Sequence, residues 1–206
     1  MISTLFPVHR PSVGISLRAS ALSLVGLRRR PFCRAVVVCA DTRALASGVL
    51  TPAATGSNMA DGESLGRELR ALAGPRRDRA VAVSLPDDSA TIGLFSFETL
   101  PTQPAEREAI IRWRFQQEAN IRVGNERLFY RLYQGESSVS VLAAVLDEAV
   151  FAQYVSALVA ANLLAISIGF ETLQLFDVFR GVMQSGPESY FVHHADGLLT
   201  CIALRD

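Results

Sequence analysis

The sequence predicts an α/β fold, and three observations carry the prediction. Short apolar runs of period two, bounded by Gly, Pro and Ser, recur along the 206 residues. Between them lie segments with apolar residues at helical spacing, several opened by an acidic cap or closed by Gly-Pro. Half of the residues are apolar, enough for the core of one ordinary domain or two small ones.

The elements follow in order. Val13 to Leu17 and Leu22 to Leu27 read as alternating strands joined at Ala19-Ser20, and Ala35 to Cys39 is a third apolar run. Thr51 to Gly62 has loop composition. Asp61 is placed to cap a helix whose Leu65, Leu69 and Leu72 share one face, ended by Gly74-Pro75. Ala80 to Leu85 is a strand stopped by Pro86-Asp87-Asp88, and Thr91 to Phe97 is the next. A helix over Ala105 to Ala119 leads to a hairpin, Leu128 to Tyr133 and Val139 to Leu146, turning at Gly135-Glu136-Ser137. Asp147 caps a helix with Val150, Phe151, Tyr154, Val155, Leu158 and Val159 on one face, which runs into a strand from Leu164 to Ile168. A helix over Glu171 to Gln184 turns Leu173, Phe176, Phe179 and Met183 inward. A last hairpin, Tyr190 to His193 and Leu198 to Leu204, turns at Ala195-Asp196-Gly197. The middle order of strand, helix, strand, strand, helix, strand predicts one sheet with both helices on one face.

Composition narrows the function. Twenty basic and twenty acidic residues cancel, so the basic excess that nucleic-acid binding needs is absent. Every basic residue other than His is Arg, which excludes a P-loop or Schiff-base Lys. Cys33, Cys39 and Cys201 form no C-x-x-C pair and are expected as buried thiols in a reducing compartment. The Arg-rich, acid-free stretch before Asp41 has the composition of a transit peptide, but its alternation and Pro7, Pro11 and Pro31 oppose one amphipathic helix. Ala149 to Phe170 carries no charge and is long enough to span a bilayer. Its one-sided pattern, broken by Gln153, Ser156 and Asn162, predicts a buried helix and strand instead, hence a soluble chain.

Several local motifs invite a sharper reading. Gly62-Glu63-Ser64-Leu65-Gly66 matches the G-x-S-x-G elbow of serine hydrolases, but a polar loop precedes it where an elbow needs a strand, so Ser64 reads as a first-turn residue. His193 and His194 with Asp196 could be metal ligands, yet neighbours on a strand face opposite ways and no third ligand follows at a recognisable spacing. Arg28-Arg29-Arg30, with Arg34, is a candidate contact for anionic lipid headgroups, or a solvated turn. Trp113 and Phe115 read as packing residues.

The order of elements resembles the type IV pilus assembly proteins of the PilM kind, relatives of the actin-like protein FtsA. The family's first loop, of form G-I-D-I-G-S-S, corresponds to Gly14-Ile15-Ser16-Leu17-Arg18-Ala19-Ser20, followed by the apolar strand Ala21 to Leu27. The family's inserted subdomain corresponds to Leu100-Pro101, the helix with Glu106, Glu108 and Trp113, the strands Leu128 to Tyr133 and Val141 to Val145, and the helix with Tyr154. Its second phosphate loop, V-D-I-G, corresponds to Val192-His193-His194-Ala195.

The resemblance implies a partial actin-like (ribonuclease H-like) lobe with an inserted small α/β subdomain of β-α-β-β-α-β order. It divides the chain into a flexible segment (1–12), the first part of the lobe (13–86), the insert (87–168) and the return to the lobe (169–206). Family members bind ATP with magnesium. Here the vestigial nucleotide positions are Gly14, Ser16, Arg18, Ser20, His193 and Ala195. Ser16 and His193 stand where the family has Asp, and Arg18 and Ala195 stand where it has Gly. A Cβ blocks the close approach of backbone N–H groups to an anion, and the missing carboxylates would have managed the metal, so no cofactor is expected. The resemblance places Asp196 off the family's metal position, on a different face or height of the hairpin. The chain also reaches only the hairpin that opens a second lobe. What it implies is a non-catalytic scaffold of type IV pilus or related secretion assembly, cytoplasmic and peripheral to the inner membrane. Its partner would be a PilN-like membrane protein, whose short tail docks between lobe and insert. The rival reading is an ATPase completed by a second lobe.

Overall fold

β1 (Val13–Leu17) lies at the centre of a five-stranded sheet, flanked by β2 (Ala21–Arg28) and β4 (Ala80–Leu85). A computed structural model describes residues 11–28, 35–75, 78–119, 126–135, 137–183 and 188–205. β3 (Val36–Ala44) pairs antiparallel with β2, β1 with β2 antiparallel, and β1 with β4 parallel. β8 (Leu164–Phe170) completes the order β3-β2-β1-β4-β8, parallel to β4. Alternation puts Val13, Ile15 and Leu17 into the core and leaves Gly14 and Ser16 on the other face.

α1 (Gly62–Ala73) and α3 (Glu148–Ala160) cover the core face. Asp61 and Asp147 cap them as their positions predict, each accepting two backbone N–H bonds. The helices approach closely because α1 carries Gly66 at the crossing. A Cβ there would lie 3.0 Å from the Ala160 Cβ and 3.3 Å from the Ala157 carbonyl oxygen. The polar residues of α3 anchor the loop before α1. Tyr154, fully buried, shares its hydroxyl with Ser89 Oγ at 2.6 Å and Asn58 Nδ2 at 3.2 Å. Gln153 accepts from the Asn58 N–H at 2.8 Å. Among the described residues no helix is long and apolar enough to cross a membrane.

The single-sheet reading of the middle block is corrected. Its element order stands, but the six elements serve two sheets. β5 (Thr91–Phe97), β6 (Arg127–Gln134) and β7 (Val139–Leu146) form a separate antiparallel sheet of order β5-β7-β6, with α2 (Pro104–Ala119) between β5 and β6 in the chain. α3 packs on α1, and β8 joins β4. The reason is connectivity: parallel neighbours need a crossover, and α3 is the crossover helix of the β4–β8 pair. The small sheet is an insertion within that crossover.

β7 is the seam. Val141, Ala143 and Val145 face Phe95, Ile111 and Phe115 in a small core, while Leu142, Ala144 and Leu146 join the large one. α4 (Glu171–Met183) follows β8 directly, and β9 (Glu188–Ala195) and β10 (Leu198–Arg205) form an antiparallel hairpin of their own. Its two-residue loop, Asp196-Gly197, takes positive φ at both positions, 47° and 87°, the geometry that favours Asp-Gly.

Four further expectations need correcting. Val159 (64 % exposed), Phe179 (48 %) and Trp113 (53 %) face outward, and Ala157 takes the buried place on α3. Cys39 and Cys201 are exposed thiols, since β3 and β10 are edge strands with few neighbours. Cys33, Arg29, Arg30 and Arg34 lie outside the described residues, and Arg28 is exposed at the end of β2.

Candidate functional site

Parallel strands β1, β4 and β8 end side by side, and the carboxyl ends of such strands are where α/β sheets gather ligands. Arg18 follows β1, Asp87 follows β4 by two residues, and Glu171 follows β8. These three groups build the polar cluster. Arg18 Nε donates to both Glu171 oxygens, at 2.7 and 3.0 Å, and its Nη2 also meets Oε1. The fork of donors matches the carboxylate edge-on. Glu171 is the first residue of α4, where the helix dipole favours an anion. The hydrogen bond donated to Glu171 raises the Arg18 pKa further above its ordinary value, burial opposes it, and the charges of Glu171 and Asp196 add to the rise.

Asp87 sits beneath. It accepts from the Thr172 N–H at 3.2 Å and from the Thr172 hydroxyl. Burial pushes its carboxyl above the usual range, against those two bonds, with Glu171 pushing the same way as burial and His193 the other. His193 Nδ1 pairs with Thr172 Oγ1 at 2.9 Å, and its Nε2 lies 3.7 Å from Glu171. At the rim, Ser20 Oγ donates to Asp196 at 2.5 Å, and the Ser20 N–H reaches the same carboxylate at 3.4 Å. The β1–β2 turn is thus tied to both α4 and the tip of the β9–β10 hairpin.

Of the residues singled out from sequence, Arg18, Ser20, His193 and Ala195 converge here. Gly14 and Ser16 do not. They stay within β1, and Ser16 Oγ is buried without a hydrogen-bond partner among the described residues. His193 points in and His194 out, as strand alternation requires. Asp196 is the main departure: it is not displaced from the site but holds the two turns together. Glu171, Thr172 and Asp87 were not picked out as site residues. Their signal was position, each just past the end of a strand in the parallel set. The cavity they leave is about 60 Å³. Among the described residues no three His, Cys, Asp or Glu side chains are grouped to hold a metal. Ser64 follows a loop, not a strand. Its hydroxyl donates to Asp61 at 2.7 Å and accepts from Arg67 at 2.9 Å within the first turn of α1.

A larger, apolar groove of about 450 Å³ opens beside the cluster. Ile92, Gly93 and Leu94 of β5 form one wall, Thr200 to Ala203 of β10 the other, and Leu142 and Leu173 lie between. Unbroken runs along β5 and β10 are what strand edges present, since a strand face would show every second residue. Both edges are unpaired among the described strands. Asp88, exposed, lines the groove with them.

A five-stranded mixed sheet, a small inserted sheet and a hairpin leaning on the ends of the parallel strands define a partial actin-like lobe. Solved structures share it. A chain of the PilM-PilN type IV pilus biogenesis complex superposes with a TM-score of 0.70 at 18% identity, over 94% of this chain and 61% of that one. The cytoplasmic domain of EpsL, an inner-membrane component of the type II secretion system of Vibrio cholerae, superposes with a TM-score of 0.56 at 12% identity, over 94% and 70%. This chain therefore spans about three fifths of the length of the first. No protein-family model matches it, and no curated sequence does. The fold is shared with that pilus biogenesis chain and with the EpsL cytoplasmic domain.

Proposed function

We propose that this protein is a non-catalytic cytoplasmic scaffold of a type IV pilus or related secretion assembly, which holds an extended peptide from the tail of an inner-membrane partner. The observation that carries the reading is the apolar groove walled by two free strand edges. An extended segment can add to such an edge through its backbone and drop alternate apolar side chains onto Leu142 and Leu173. Asp88 favours a cationic group on that segment. The fold neighbours include a PilM-PilN complex and a domain named as cytoplasmic, which agrees with a PilN-like partner.

The same site argues against nucleotide. Arg18 is committed to Glu171, and Ser16 and His193 stand where the resembling family has its metal-managing carboxylates. These residues do not fit a metal-bound triphosphate, and no catalytic step is assigned to them. Arg28 offers a cation for anionic lipid, with Arg29 and Arg30 beside it in sequence. Titration of the intact protein with the cytoplasmic tail of its cognate PilN-like partner tests the reading. Saturable binding, abolished by charged substitutions at the exposed groove residues Leu94 or Leu198, is expected. Absence of binding, or binding indifferent to both substitutions, refutes it.

A further inference from the structure

We infer that Asp196, tied to Ser20, is a positioning residue for the groove, pinning the β9–β10 hairpin and with it the β10 wall. The functional half of the inference rests on the peptide-docking reading. The structural half rests on the geometry alone.

The hairpin forms no ladder with either sheet among the described strands. A two-stranded hairpin is marginal by itself, so its pose must come from side-chain attachments. There are two sets. At the base, Phe191 packs edge-on against Phe176 and stacks beside Phe179, and Ser189 Oγ donates to the Met183 carbonyl at 2.6 Å. At the tip, Asp196 takes the Ser20 hydroxyl, and Arg18, bonded to Glu171, lines the same small cavity as Asp196.

The β1–β2 turn that carries Arg18 and Ser20 is the firm partner. It is closed by the Arg18 N–H on the Ala21 carbonyl at 2.9 Å and stands at the centre of the main sheet. The tie and the groove also share a wall. Asp87, Asp88, Leu198 and Thr200 line both the small polar cavity and the groove. A shift of the hairpin tip therefore moves β10 directly, with no relay between. A fold whose equivalent turns resemble phosphate loops here joins them by protein groups.

Hydrogen exchange on the full chain, alongside tail titration, tests this. Asp196→Ala is expected to raise exchange of the β9 and β10 amides about tenfold while β1 and β4 amides keep wild-type rates. The tail should bind about fivefold more weakly, mostly through faster dissociation. Ser20→Ala, which removes the hydroxyl that Asp196 takes, should act the same way. Asp196→Asn, which keeps the acceptor and removes the charge, is the variant least disturbing to the turn and should lie nearer wild type. Unchanged hairpin exchange in both alanine variants overturns the inference, as does an equal rise across the whole chain. If wild type binds no tail, the docking reading falls while the exchange measurement still decides the pinning.

Discussion

The two walls of the groove are made differently. β5 belongs to a sheet whose central strand, β7, is buried on both faces and shared by two cores. β10 belongs to a hairpin held by one aromatic wedge and a few polar ties, with Tyr190, Val192 and Leu199 exposed along its outer side. On the docking reading, one wall would set the register of a bound segment and the other the width. Packing on both faces of β7 fixes the first, and an aromatic wedge with polar ties fixes the second, so the two should fail under different perturbations.

The largest effect should come from the firm wall. Phe115 is fully buried and meets Phe95 edge-on at 4.8 Å, so Phe115→Ala should cost about 3–5 kcal/mol and be read as a lower denaturant midpoint. Phe191→Ala is the matching change in the movable wall. The residue is only partly buried, so a loss of about 1–2 kcal/mol is expected, seen as local exchange in the hairpin more than as a global shift.

The smallest effect sharpens the contrast by pH. Asp87, held protonated above the usual carboxylate range, keeps a proton that the unfolded chain has already released. The unfolded state then binds fewer protons, so stability falls as pH rises from about 4, the ordinary carboxylate pKa, toward the raised native value. Asp87→Asn should flatten that slope in melting temperature measured from about pH 4 to about pH 7. A slope equal to wild type would show that Asp87 does not set it.

Most of the fold was legible because the elements are locally specified. Asp61 and Asp147 cap their helices, Gly74 ends one, and Asp-Gly turns the last hairpin. Sheet membership was not legible. Nothing in Leu164 to Phe170 says whether it pairs with β4 or with β7, since either neighbour offers an apolar ladder. Exposure of Val159, Phe179 and Trp113 was missed for the same cause: periodicity marks a face as apolar but not whether a neighbour covers it. In the site, loop positions drew attention to Arg18, Ser20, His193 and Ala195, which do meet. Glu171 and Asp87 were invisible because their significance comes from the parallel order β1-β4-β8, a long-range fact. Asp196 was set aside because its height on the hairpin could not be judged before its partner, Ser20, was known.

On the docking reading, the groove takes a peptide with no help from nucleotide. Calorimetric titration of the partner's cytoplasmic tail into this protein, with and without Mg-ATP in the cell, tests it most directly. The account predicts the same saturable binding heat in both. Binding that appears only with Mg-ATP, or in neither, contradicts it.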